Sequence, residues 1–272
     1  MIVYTPAAST WASSNEGGIA NTIAAAVAKA NLASSNSNLG ITFNLVHSEE
    51  VSYTEAGSSN DLDRLRNPSD GYMDNVHTLR NTYAADVIEL FTDTGDTGGL
   101  GYLLEDRYGR EDLAYSLTRI QQASWTSTMI HEIGHNMGAH HHKDQTTQPG
   151  PTGWYNWAEN EWSAGWRWTG SGGGKYCDLM TYSAGTYFAD GVDHTRVDYF
   201  SNPNIDYDGV ATGDADFGDN ARTLRELKHY VAYYKDAATL NYCVAAGGNS
   251  NYGISNVTIG DINQDAGLGD FY

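Results

Sequence analysis

Residues 131 to 141 read His131-Glu132-Ile133-Gly134-His135-Asn136-Met137-Gly138-Ala139-His140-His141. His131 and His135 are four residues apart, so on a helix both imidazoles leave the same face and can hold one metal ion. Glu132 stands beside the first histidine, where its carboxylate can reach a water on the metal but is badly placed to be a ligand. This spacing predicts a metal site on a helix, with a carboxylate available for proton transfer.

Gly138 follows His135 by three residues, and a glycine there can take φ > 0, end the helix and turn the chain back towards the metal. The return supplies a third ligand, for which His140, His141 and His142 are the candidates. Three neutral imidazoles leave one tetrahedral position of Zn²⁺ open, which is typical of a catalytic site. A surface helix or a metal-scavenging tract would also be rich in histidine, but neither explains Glu132 or the offset of the glycine.

The pattern H-E-x-x-H-x-x-G-x-x-H resembles the motif that defines the metzincin metalloproteases. The resemblance selects His141 as the third zinc ligand and implies that Glu132 is the general base. It implies an α/β (or α+β) fold with a twisted, mostly parallel five-stranded sheet, an antiparallel edge strand, a long zinc helix, a Met turn and a smaller, irregular C-terminal subdomain. The implied activity is zinc-dependent hydrolysis of internal peptide bonds in extended polypeptides.

Met180 and Tyr182 extend this resemblance. Metzincins carry a methionine in a tight turn some tens of residues after the third histidine, where it packs beneath the zinc, and Met180 matches that position. Tyr182 stands two residues later, as the tyrosine does in the astacin and serralysin branches, where it ligates zinc or turns to the reacting carbonyl. Packing in the core is the alternative role for Tyr182.

Two downstream runs make the chain similar to bacterial secreted metalloproteases related to the reprolysins and the peptidyl-Asp metalloendopeptidases: Val197-Asp198-Tyr199-Phe200-Ser201-Asn202-Pro203-Asn204 and Asp219-Asn220-Ala221-Arg222. Reprolysins usually place Asp directly after the third histidine, whereas His142 stands here. The resemblance implies a secreted monomer, inhibited by a pro-segment that is absent from this chain. No basic residue that would select aspartate in a substrate can be identified from the sequence.

The composition excludes several classes of function. The 34 acidic residues outnumber the 15 basic ones, for a net charge of −19. This balance argues against nucleic acid, because phosphate contacts need Lys and Arg, and against an anionic membrane surface. No apolar run approaches the roughly 18 residues that span a bilayer, and no signal peptide is visible. We therefore expect the mature form of an extracellular protein.

Residue periodicity predicts strands at 2–4, 41–46, 86–91 and 114–118, a helical turn at 61–65, and helices at 15–31, 69–85, 124–137 and 217–236. Strands separated by helices imply a largely parallel sheet. Residues 1–240 are expected to form the catalytic domain, with an upper subdomain at about 1–138 and a lower one at about 139–240. Residues 241–272 form a tail that resembles the opening of an extracellular β-sandwich module.

The glycine-rich run that follows the predicted strand at 86–91 has two possible interpretations. In metzincins an edge strand at this position pairs with the extended substrate, and the residues that match it are Gly99, Leu100, Gly101 and Tyr102. A flexible surface loop is the alternative.

Two further features concern cysteine and calcium. Cys177 and Cys243 are an even pair, which in a secreted protein suggests one disulfide; free thiols or a partner beyond this chain are the alternatives.

Clusters of Asp and Asn at 190–193, 206–208 and 214–220 suit Ca²⁺, and solvated loops explain them equally well.

Overall fold

The computed structural model describes residues 1–151 and 161–235. The strands in these ranges are Ile2–Tyr4 (β1), Ser48–Glu50 (β2), Ile88–Thr92 (β3), Gly99–Gly101 (β4), Tyr115–Arg119 (β5), Arg167–Thr169 (β6), Lys175–Cys177 (β7), Thr195–Arg196 (β8), Asp206–Tyr207 (β9) and Val210–Ala211 (β10). The α-helices are Pro6–Asn15 (α1), Ile19–Asn36 (α2), Ser58–Arg66 (α3), Asn75–Thr82 (α4), Ile120–Ala123 (α5), Thr128–Asn136 (α6) and Asn220–Val231 (α7).

Five strands form the main sheet in the order β2-β1-β3-β5-β4. β1 pairs in parallel with β2 and β3, β3 pairs in parallel with β5, and β4 runs antiparallel to β5 at the edge. Every residue of the central strand β3 is buried, as expected for a parallel strand that is covered on both faces. The predicted mixed α/β class, with a mostly parallel sheet and an antiparallel edge strand, is confirmed.

Two apolar clusters cover opposite faces of this sheet, because neighbouring strand residues such as Leu90 and Phe91 point to opposite sides. Phe91 packs with residues of α1, α2, α6 and α7, whereas Leu90 packs with residues of α3 and α4. The buried face of α2 includes three alanines, Ala26, Ala30 and Ala33. Small side chains let α2 lie close to α6, the helix that carries the first two histidines.

The predicted strand at residues 41–46 is wrong, since this segment is irregular and the strand follows it as β2. The backbone of the segment bonds to side chains of α2 instead. Asn31 Nδ2 donates to Phe43 O (3.0 Å), Asn31 Oδ1 accepts from Phe43 N (2.8 Å), and Ser34 Oγ donates to Ile41 O (2.6 Å). These bonds satisfy backbone groups that would otherwise need a neighbouring strand.

The predicted long zinc helix is wrong in its length. α6 has 9 residues, and α5 precedes it as a separate short helix. Thr126 lies between them; its Oγ1 donates to Gln122 O (2.7 Å) and accepts from Thr128 N (3.2 Å). Such bonds from a side chain to the backbone compete with helical hydrogen bonds, so the chain begins a new helix at Thr128.

Other helices also differ from the predicted bounds. α4 is shorter than the predicted helix at 69–85 because Met73 has φ 48°, a left-handed conformation that a helix does not contain. α1 was not predicted; the hydroxyl of Thr5 caps it by accepting from Ala8 N (3.1 Å), and Pro6 occupies its first turn. Asp219 caps α7 by accepting from Arg222 N (2.8 Å).

The residues after α6 form smaller sheets. β7 pairs with β6 and β8 in a three-stranded sheet, and β9 pairs with β10. Residues 1–235 form one unit, and within its described part no helix combines the length and apolar character needed to cross a membrane. Cys177 is buried, whereas Cys243 and the 241–272 tail lie outside the described residues, so the disulfide and the domain boundaries stay predictions.

Candidate metal centre

α6 and the turn after it bring three histidines together. Nε2 of His141 lies 3.1 Å from Nε2 of His131 and 3.1 Å from Nε2 of His135. Across residues 1–151 and 161–235, this is the one group of three or more His, Cys, Asp or Glu side chains that could share an ion. Two nitrogens bound to one zinc at tetrahedral angles lie roughly 3.3–3.4 Å apart, given Zn–N bonds of about 2.0–2.1 Å. The observed spacing therefore fits zinc.

The hydrogen bonds of the other ring nitrogens fix the tautomer of each histidine. Nδ1 of His131 faces Leu179 O (2.8 Å), Nδ1 of His135 faces Ala139 O (2.8 Å), and Nδ1 of His141 faces the carbonyl of residue 148 (2.9 Å). A carbonyl oxygen can only accept, so each Nδ1 donates its hydrogen. Each neutral ring then presents an Nε2 lone pair to the common point, which is the donor set that a metal ion requires.

Burial keeps these imidazoles neutral. It lowers the pKa of His131 and His135 well below the usual range, and it lowers the pKa of His141 to about 4. Neighbouring imidazoles lower the first two further, because two positive rings in contact repel each other. All three side chains are therefore neutral imidazoles at neutral pH and could bind a metal ion.

The turn after α6 explains why His141, rather than either neighbour, joins the cluster. Gly138 has φ 84°, as predicted, and a Cβ there would lie 2.9 Å from Leu227 Cδ1. Asn220, at the start of α7, holds the chain beyond the turn by accepting from His140 N (3.1 Å) and donating to His140 O (2.9 Å). The ring of His142 stacks on the ring of Trp166 instead, with centroids 5.9 Å apart.

Met180 lies in a buried turn beside the histidines, directly after Leu179, whose carbonyl accepts from His131. Its sulfur would be 3.0 Å from a Cβ at position 134, so the glycine there lets the turn approach α6 closely. Asp178 anchors this turn by accepting from Ser201 N (3.1 Å) and the Thr181 hydroxyl (2.5 Å). Burial raises the pKa of Asp178 to about 6.

Glu132 points to the side of α6 that faces the edge strand β4. A Cβ at Gly99 would lie 2.6 Å from Glu132 Oε1, and a Cβ at Gly101 would lie 2.8 Å from the Glu132 carbonyl oxygen. Only glycine fits at these two positions of β4. Burial raises the pKa of Glu132 well above its usual range; the carboxyl of Glu89 raises it further and the guanidinium of Arg196 opposes the rise.

Tyr182 lies next to the third histidine. Its ring centroid is 4.8 Å from that of His141, and its hydroxyl donates to Gln148 Oε1 (2.7 Å). Its backbone N–H donates to Gln145 Oε1 (3.2 Å). The two glutamines therefore connect the loop after His141 to the turn that carries Tyr182.

Sequence reasoning missed both glutamines and Asn136, and it gave Asn220 no role at the site. The buried amide of Asn136 donates to the carbonyls of Tyr102, Leu113 and Tyr115, and so fastens the end of α6 to the edge of the sheet. The available signal was a polar residue beside the second histidine in an otherwise apolar stretch. No such signal marks the glutamines, whose role depends on the path of a loop.

Comparisons with known proteins agree with this site. A family model described as Metallo-peptidase family M12B Reprolysin-like matches residues 20–142. A peptidyl-Asp metalloendopeptidase of Pseudomonas fragi is 30% identical over 203 residues, which cover 74% of this chain and 95% of the relative. A protein of the same name from Stenotrophomonas maltophilia is 36% identical over 228 residues, 80% of this chain and 49% of the relative. The chain spans about half the length of this relative.

A solved structure described as "Structure of a chaperone-substrate complex" matches 87% of this chain and 34% of its own, with a TM-score of 0.60 and 17% identity. At this identity the likeness concerns the fold alone. The sheet, the helix with its two histidines and the third histidine after the turn define a metallopeptidase domain. The chain belongs to the reprolysin-like metallopeptidase family, which confirms the predicted resemblance to the reprolysins and the peptidyl-Asp metalloendopeptidases.

Proposed function

We propose that this chain is a secreted zinc endopeptidase that hydrolyses internal peptide bonds of extended polypeptides. The observation that carries the proposal is the convergence of three Nε2 atoms beside the buried carboxyl of Glu132, with Nε2 of His141 3.1 Å from Nε2 of His131 and 3.1 Å from Nε2 of His135. His131, His135 and His141 would hold the ion. Met180 would support them from below.

When bound, zinc supplies a Lewis acid that polarises the peptide carbonyl and lowers the pKa of water. Glu132 accepts the proton of the attacking water and passes it to the nitrogen of the leaving amine. Burial raises the pKa of Glu132 above its usual range, which makes the carboxylate a stronger acceptor for the proton of water.

Tyr182 is proposed to donate a hydrogen bond to the oxygen on which negative charge develops. Its position beside His141 supports this role, and so does its hydroxyl, which already donates to Gln148. Burial and the charge of Glu132 raise the pKa of Tyr182, so the phenol keeps the hydrogen that it must donate.

β4, with Tyr102 immediately after it, is proposed to bind the substrate backbone as an added strand. Gly98 O and Tyr102 N bond to β5 (2.9 and 3.3 Å). By the alternation of an antiparallel pair, the backbone groups of Gly99 and Gly101 then point away from the sheet. The Thr97 hydroxyl donates to Gly99 O (2.9 Å), which leaves the N–H of Gly99 and both backbone groups of Gly101 to pair with a peptide.

The names of the relatives suggest the substrate class. Since the similar proteins of Pseudomonas fragi and Stenotrophomonas maltophilia are peptidyl-Asp metalloendopeptidases, we propose that this chain favours peptide bonds next to aspartate. Secretion, action as a monomer and inhibition by a pro-segment are proposed from the family resemblance. Calcium binding also stays a proposal; in one of the Asp-rich clusters Asp214 accepts from two backbone N–H groups of its own turn.

A digestion of a proteome-derived peptide library tests the proposed activity. Cleavage should be abolished by a zinc chelator and restored by added Zn²⁺, and the cleaved bonds should lie inside peptides rather than at their ends. A zinc-loaded protein that cleaves no peptide in the library would contradict the proposal.

A further inference from the structure

Arg196 lies beside the turn that carries Met180 and Tyr182. It ends β8, where it pairs with Cys177 at the end of β7. Its Nε donates to Thr181 O (3.2 Å), the carbonyl between Met180 and Tyr182. The strand and this hydrogen bond fix the base of the guanidinium, so the charge is held next to the proposed centre.

Among the described residues, the guanidinium of Arg196 has no carboxylate partner. Within residues 1–151 and 161–235 no Asp or Glu oxygen lies within 4.0 Å of its nitrogens, although it is partly buried. Arg167, in β6 of the same sheet, is different: it forms an ion pair with Asp190 (3.4 Å) and donates to Val192 O (2.7 Å). Arg196 also bonds to the side chain of Cys177. A planar cation that is held in place and has no carboxylate partner among the described residues suits the binding of a carboxylate from a substrate.

The charge of Arg196 reaches the groups that would surround a bound peptide. It lowers the pKa of His131, His141 and Glu132, and it opposes the rise in the pKa of Tyr182. Among the described residues no other Arg or Lys acts on the pKa of these four groups. In a chain with a net charge of −19, this cation is the local feature that would attract an acidic side chain.

We infer that Arg196 is the specificity-determining residue of this site and binds the side-chain carboxylate of an acidic residue next to the bond that is cleaved. The inference rests on the proposed peptidase function and assigns its aspartate preference to one side chain. Two parallel N–H···O bonds from the guanidinium would orient that carboxylate, and a substrate with an amide in its place would leave the cation unpaired.

The test compares kcat/KM for two peptides that differ only in Asp or Asn beside the cleaved bond. Wild-type protein should favour the Asp peptide, and Arg196→Gln should reduce the Asp/Asn ratio by about 10- to 100-fold, the scale of a lost charged hydrogen bond. Arg110→Gln is the matched control, because Arg110 is paired with Asp112 on an exposed surface, and its ratio should equal that of wild type. Arg196→Lys should give an intermediate ratio, since it keeps the charge but not the two-pronged contact.

The outcomes separate this inference from the function on which it rests. A zinc-loaded wild type that cleaves neither peptide overturns both. A wild type that cleaves both peptides equally overturns the aspartate preference together with the assignment of Arg196 and leaves the peptidase activity standing. An Arg196→Gln protein that loses activity on both peptides to the same degree overturns the assignment of Arg196 alone, because a purely structural role leaves the ratio unchanged. If Arg196→Gln does not fold, Arg196→Lys decides, and a full wild-type ratio in that variant contradicts the inference.

Discussion

The histidine at position 141 reaches its neighbours because Gly138 turns the chain and Asn220 holds it after the turn. In His142, one residue later, Nδ1 accepts a hydrogen bond from Asp144 N (3.0 Å). Adjacent histidines therefore have different roles that depend on backbone direction and hydrogen bonding, not on residue type.

This difference predicts the effect of removing each histidine. His141→Ala should weaken zinc binding by more than about 100-fold, since even a lost partner of a ligand costs about 10- to 100-fold. His142→Ala is the matched control and should keep full zinc content, although losing its stacking on Trp166 will lower stability. Zinc competition titrations on both variants provide the measurement. Equal losses of affinity would contradict the assignment of the third ligand.

A second residue-scale prediction concerns Tyr182. Tyr182→Phe should keep zinc, because three imidazoles remain, and should lower kcat more than it changes KM. The loss should be part of the roughly 10²–10³-fold that one oxyanion donor supplies, since the metal still acts on the carbonyl. Tyr187→Phe is the control, because its ring packs on that of Tyr182 with centroids 4.8 Å apart. Unchanged kcat in Tyr182→Phe would show that the tyrosine only packs.

Among the elements, β4 and α6 depend on each other most closely. The glycines of β4 let the strand pass directly over Glu132. At the far end of α6, Asn136 bonds to Tyr102 O and Tyr115 O. The packing of β4 against α6 therefore positions both the proposed substrate strand and the proposed general base.

Gly99→Ala should disrupt this contact. The new methyl group would lie 2.6 Å from Glu132 Oε1, so β4 or the carboxylate must move, and we expect a loss of roughly 10- to 100-fold in kcat/KM, as for other small displacements of catalytic groups. Gly95→Ala is the control, since among the described residues its Cβ would approach nothing closer than Arg119 at 4.0 Å. Wild-type kinetics in Gly99→Ala would contradict the proposed packing.

The same elements explain how much the sequence could predict. β3 is buried and mostly apolar, β5 places Tyr115 and Leu117 at alternating positions, and the zinc helix carries its own motif, so local pattern was enough to find them. The prediction missed β2 because Ser48, Glu49 and Glu50 lie at the sheet edge, where polar residues are tolerated. The apolar residues 41–46, which were predicted as the strand, bond to α2 instead. Arg196 was not recognised because its role depends on β8 lying beside the turn at Thr181, a contact between distant parts of the chain.

At the scale of the whole molecule, a buried carboxyl lies at the centre of the sheet. Glu89 of β3 is 1% exposed; its Oε2 accepts from the Ser116 hydroxyl, and its Oε1 has no partner among the described residues. Burial raises the pKa of Glu89 to about 8. The folded protein therefore binds a proton here between about pH 4.5 and pH 8 that the unfolded chain releases.

This proton makes the stability depend on pH. The contribution of Glu89 is complete below about pH 4.5 and is lost as pH rises to about 8, at up to about 1.4 kcal/mol per pH unit. Glu89→Gln should remove this loss of stability, so the free energy of unfolding of the variant should rise relative to that of wild type between pH 5 and pH 8. Denaturant titrations at several pH values measure this difference, with the exposed Glu226→Gln as control. A difference between variant and wild type that does not change with pH would contradict the raised pKa.

Three histidines are proposed to hold the metal while Glu132 transfers the proton, and Glu132→Gln tests this separation of roles most directly. The amide cannot accept the proton of water, yet it leaves all three imidazoles in place. Elemental analysis and peptide hydrolysis on one preparation should therefore give a full zinc content together with a rate at least about 100-fold below wild type. A zinc-loaded Glu132→Gln protein with near wild-type turnover would contradict the account.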